Sequence, residues 1–160
     1  MKNALTLITF ILYCFSTNCI KENPSPDLNG VTFSKIQSIT PPYVLTANIV
    51  EYKDIVEYDS TEHIFILSDQ AKDRISKVKY PVTPTPFAVA LDGEVIYIAN
   101  FIPGYSSMSC ESCITIEPYS VDNKFMVNLG YPGSFFFSGP DPRNDSRLIT
   151  RFKTDNKLKK

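Results

Sequence analysis

The 160-residue chain predicts a small single-domain α+β fold with a mixed or antiparallel sheet. Three observations carry that expectation. Short runs rich in β-branched and aromatic residues recur between turn residues, as at 43–50, 63–67 and 94–101. Asp92-Gly93 separates two such runs and specifies a two-residue type I′ hairpin, whose central positions both need positive φ. Two further segments have helical rather than strand periodicity: Ala71, Ile75 and Val78, then Leu148, Ile149 and Phe152 near the C-terminus.

Taken in order, residues 31–39 alternate weakly and form a first strand, and Pro41-Pro42 interrupts it before a second at 43–50. The charge-dense stretch 51–62 reads as an exposed turn or short helix. Residues 63–67 (HIFIL) hold four consecutive apolar side chains, a strand buried on both faces. Ser68 is a good N-cap, and Asp69 in the first turn suits the helix dipole. The helix should run over 69–79, with Lys77 and Lys79 at its C-terminal end and Pro81, Pro84 and Pro86 preventing continuation. Strand, helix and strand between His63 and Leu91 predict one right-handed βαβ-like crossover. Short strands follow at 114–117 and 124–129. Asp141-Pro142 is a favoured start for a C-terminal helix.

The N-terminus has the layout of an export signal. Lys2 precedes an apolar run over 4–15, followed by the polar Ser16-Thr17-Asn18 and then Cys19. That run falls short of the roughly 20 residues a membrane-spanning helix needs. Two cleavage readings compete. In one, Cys19 is lipidated and becomes the new N-terminus, although Ser16 and Asn18 depart from the usual lipobox. In the other, a signal peptidase cuts after Ser16. Residues 20–30 (IKENPSPDLNG) are polar and contain proline, as a tether does, and they favour the lipid anchor. The expected organisation is an export signal at 1–18, an anchor and tether at 19–30, and the α+β domain at 31–160.

Composition narrows the partners. Sixteen basic and 17 acidic side chains give a net charge of -1, and only residues 157–160 are locally basic. Such a surface lacks the basic footprint that nucleic acid requires. Eleven Phe and nine Tyr with no Trp suit a β-rich core.

No complete catalytic motif is present. Cys110 and Cys113 form a C-x-x-C pair, which in an exported chain is most often a disulfide. A thioredoxin-like site would need a helix after the first Cys, and Ile114-Thr115-Ile116 is strand-like. A zinc site would need about four ligands, and beside this pair there is one histidine, His63. Free thiols remain an alternative. His63 would serve a Cys–His dyad only if Cys110 lay beside it. Asp54, Glu57, Asp59 and Glu62 lack the order of a calcium loop. No cofactor is expected. Two loops are candidates for partner contact: the hydroxyl-rich Tyr105, Ser106 and Ser107, and Phe135, Phe136 and Phe137, of which two should anchor their loop to the core.

One stretch has a familiar outline: Tyr58-Asp59, His63, Pro86-Phe87, Asp92-Gly93-Glu94, Ile96-Tyr97 and Ser106-Ser107. It resembles a group of small exported bacterial lipoproteins of the Bacteroidota type, which lack a settled function. It is also similar to the extracytoplasmic head region of SecD-type translocation subunits. The resemblance implies no functional residue. Together these features lead to an exported protein on the periplasmic or cell-surface side of a bacterial membrane, lipid-anchored and non-enzymatic. Its partners would be the membrane and an envelope protein. The alternative is a secreted thiol-dependent enzyme or redox protein using Cys110 and Cys113.

Overall fold

The computed structural model describes residues 25–159, so the export signal, Cys19 and the first part of the tether lie outside the described residues. Nine strands fall into two sheets. The larger has six, in spatial order β2 (Leu45–Val50), β1 (Val31–Ile36), β5 (Thr85–Leu91), β6 (Glu94–Phe101), β7 (Cys110–Ile116) and β9 (Asn128–Tyr131). All its neighbours are antiparallel except β6 and β7. The smaller sheet is antiparallel, in the order β3 (Ile55–Asp59), β4 (Ile64–Leu67), β8 (Lys124–Met126). Helices α1 (Asp69–Ser76) and α2 (Ser146–Thr154) complete an α+β fold that is mostly sheet.

Aromatic side chains join the two sheets. Phe33 of β1 meets Phe65 of β4 edge-on at 5.0 Å, and Phe87 stacks on Phe101 at 4.3 Å. Phe152 of α2 packs against Tyr58 at 5.2 Å and Phe65 at 6.0 Å. All six rings are fully or almost fully buried. Each such side chain contributes about 1.5–3 kcal/mol by leaving water. The Asp92-Gly93 hairpin forms as its sequence specifies, with φ of 49° and 85°.

The strand–helix–strand unit is present in sequence order, but its two strands enter different sheets. Both edges of β5 are taken, by β1 and β6, so β4 pairs with β3 and β8 instead. The parallel pair is β6 and β7, joined by a loop. Helix α1 starts where expected, with the Ser68 side chain accepting from the Ala71 amide at 3.2 Å. It ends at Ser76, short of residue 79, and Val78 is exposed. The chain turns there so that Tyr80 can bury against Phe101, 5.1 Å away.

Three further differences have local causes. The charged stretch 51–62 contains β3, because Ile55 and Tyr58 face the core while Val56 and Glu57 do not. The stretch 124–129 splits between β8 and β9, and the buried Val127 passes from one sheet to the other. Helix α2 begins after Asp145, which caps it through the Arg147 amide, because Asp141 grips the Arg143 side chain instead. The basic tail is tied along β3. Its Leu158 bridges Tyr58, the Lys157 ammonium donates to the Tyr52 carbonyl, and Lys159 pairs with Asp59. Residues 27–30, at the end of the expected tether, are held to the sheet: the Gly30 amide donates to Asp92, and Asn48 donates to the Asp27 carbonyl.

Candidate partner-contact site

Cys110 opens β7 opposite Tyr131 of β9, and the register then slips before Ile114 meets Leu129. Residues 111–113 therefore bulge from the ladder, with Ser112 at a φ of 55°. Cys110 and Cys113 lie at disulfide distance across the bulge, with Cα atoms 5.7 Å apart. No helix follows, so no helix dipole acts on either sulfur.

This bulge brings together the two loops that the sequence marks separately. The Ser112 and Ser138 hydroxyls are 2.9 Å apart, and Tyr131 donates its hydroxyl to the Ser106 carbonyl at 3.0 Å. Within the first loop, Ser106 is turned inward: its hydroxyl donates to the Val82 carbonyl at 2.6 Å and accepts from the Met108 amide. Tyr105 donates to the Tyr80 carbonyl at 3.3 Å and stacks on Tyr119, yet keeps 66% of its surface exposed. Ser107 is exposed.

Within the second loop, Phe137 packs against the core and Phe136 is half-buried, whereas Phe135 is 82% exposed and rests on Phe136 with ring centroids 4.2 Å apart. Gly130, at a φ of 71°, shapes the approach, because a Cβ there would meet the Gly133 carbonyl oxygen at 2.6 Å. Met108, 42% exposed, was missed at the sequence level. The signal available was its position among four hydroxyl residues, which gives it nothing to bury against.

His63 lies elsewhere, at the turn into β4. Burial and then the Arg143 charge hold its pKa below the usual histidine value, and its Nδ1 has no hydrogen-bond partner. Asp59, Asp141, Arg143 and Asn144 face it. Cys110 lies instead at disulfide distance from Cys113. Asp54 of the acidic stretch is buried and pairs with Arg74, while Asp59 is held by Lys159. Among the described residues, no group of three or more His, Cys, Asp or Glu side chains could hold a metal ion, and no helix is long and apolar enough to cross a membrane.

No family model, curated protein or solved structure matches the chain.

Proposed function

We propose that the chain is an exported, lipid-anchored accessory protein of the bacterial envelope, tethered through Cys19, that binds another envelope protein through the disulfide-tied end of its large sheet. The leader, Cys19 and the polar tether support export and anchoring. One observation carries the binding role: Phe135, Tyr105 and Met108 stand exposed on two loops that hydrogen bonds and the C-x-x-C bulge hold to each other. Large apolar side chains presented on fixed loops lose little freedom when a partner covers them. Aromatic anchors of this kind carry much of the binding energy at protein interfaces.

The test is photo-cross-linking in intact cells of the native host. A photoreactive residue replacing Phe135 should give one discrete adduct, and Tyr105→Ser should abolish it. The same residue at Val56, exposed on β3 of the other sheet, should give none. Identical patterns at the two positions, or no adduct at Phe135, would remove the binding role. The intact mass of the mature chain tests the anchor separately: acyl chains on Cys19 support it, and a mass beginning at Thr17 excludes it.

A further inference from the structure

A groove of about 620 Å³ opens between the C-terminal end of α1 and the ends of β1, β2, β5 and β6. Its size falls in the range of small-molecule sites, roughly 300–1,000 Å³. Its walls are apolar, formed by Ile36, Ile49, Val78, Tyr80, Pro86 and Phe101. Tyr80 and Phe101 are buried, whereas Val78 is exposed. The groove exists because α1 stops at Ser76, so no helical turn covers the sheet beyond it.

The charges around the groove are one-sided. Lys35 and Arg74 line it, and no carboxylate does. Arg74 is already neutralised by Asp54 and also donates to the Ile49 carbonyl. Among the described residues, Lys35 makes no ion pair, and its side chain is exposed at the groove. An apolar cleft with one uncompensated cation, in a chain of net charge -1, favours a ligand with an apolar body and a negative end.

We propose that this groove binds a linear amphiphile with an anionic head, of the fatty-acid type. The tail lies between α1 and the sheet over Tyr80 and Phe101, and the carboxylate faces Lys35. A peptide is the poorer occupant. Its backbone would bring many donors and acceptors, and the groove's uncharged polar side chains are three: Asn48, Thr85 and, through its hydroxyl, Tyr80. Asn48 is itself committed to Ser34 and to the Asp27 carbonyl. The groove shares no lining residue with the two contact loops, although Tyr105 donates to the carbonyl of Tyr80 in its wall; its test uses neither loop.

The experiment uses the purified full chain, free of detergent, and two probes with the same tail: dodecanoate and dodecyltrimethylammonium, each below its micelle concentration. Titration calorimetry should show one dodecanoate site and binding of the cationic probe weaker by about tenfold. Lys35→Glu should weaken dodecanoate by a similar factor. Ala47→Trp, which places a ring in the groove from β2, should abolish binding. Thermal unfolding of both variants is measured alongside, and an unchanged midpoint shows that the fold is intact. If either variant unfolds early, Lys35→Gln and Ala47→Leu take its place. Equal affinity for the two heads, undiminished binding in the folded variants, or no dodecanoate binding would overturn the proposal. So would a dimer that Ala47→Trp dissociates, which would assign the groove to a second copy of the chain.

Discussion

Between the two sheets, Phe33, Phe65, Phe87 and Phe101 are withdrawn from water, whereas at the end of the large sheet that carries Cys110 and Cys113, Phe135 and Tyr105 stand in it. The side chains are alike; what opposes them differs. The first set sits on strands that face another layer, so each ring finds others at 4–5 Å. The second sits on loops with no layer opposite. There the backbone is fixed by other means: hydroxyl contacts from Ser106, Ser112 and Tyr131, the cysteine bulge, and the tight approach at Gly130. One region converts aromatic surface into stability. The other keeps it available at a fixed place.

The largest test of that contrast is Phe65→Ala. Removing a ring shared by β1, β3 and α2 should cost about 3–5 kcal/mol, read as a lower urea midpoint at unchanged slope. A loss under about 1 kcal/mol would mean that the two sheets do not share one core.

An intermediate effect is expected from acid. His63 takes up a proton less readily folded than unfolded, because burial and Arg143 disfavour the cation. Its contribution to stability is therefore complete above the unfolded value of about 6.5 and is lost as pH falls from there through the lower folded value. Asp59 and Asp141 titrate lower still: hydrogen bonds from Lys159 hold Asp59 at about 2, and those from Arg143 lower Asp141. Urea unfolding at about pH 7.5 and 5.5 should thus show a drop that His63→Gln removes. A drop that persists in that variant would assign it elsewhere.

The smallest effect sharpens the comparison most. Phe135→Ala should change stability by no more than about 0.5 kcal/mol, because the ring is already in solvent. A cost comparable to that of Phe65→Ala would show that Phe135 is buried in solution and would remove it from any contact surface.

Where the sequence was legible, the reason was local. Ser68 caps the helix it precedes, Asp92-Gly93 makes its turn, and β6 spans Glu94–Phe101 as its alternation indicates. Strand β3 was hidden because Glu57 and Asp59 mask the alternation around Tyr58, and the buried Asp59 is held by the Thr61 and Glu62 amides and by Lys159, which reaches it from the far end of the chain. The break at Val127 was equally invisible, since both halves of that stretch are good strand sequence. At the candidate site, the two loops could each be marked by composition. Their meeting could not, because it depends on β7 lying beside β9.

By itself, then, the sequence determined the α+β class, the hairpin and the start of α1, each written in adjacent residues that act through short-range sterics and hydrogen bonds. Only the tertiary structure decided which strands share a sheet, that α1 spans two sheets instead of crossing over one, and that Phe135, Tyr105 and the cysteine pair occupy one end. Those outcomes rest on which strand edges remain free after others have paired, and that competition involves residues tens of positions apart.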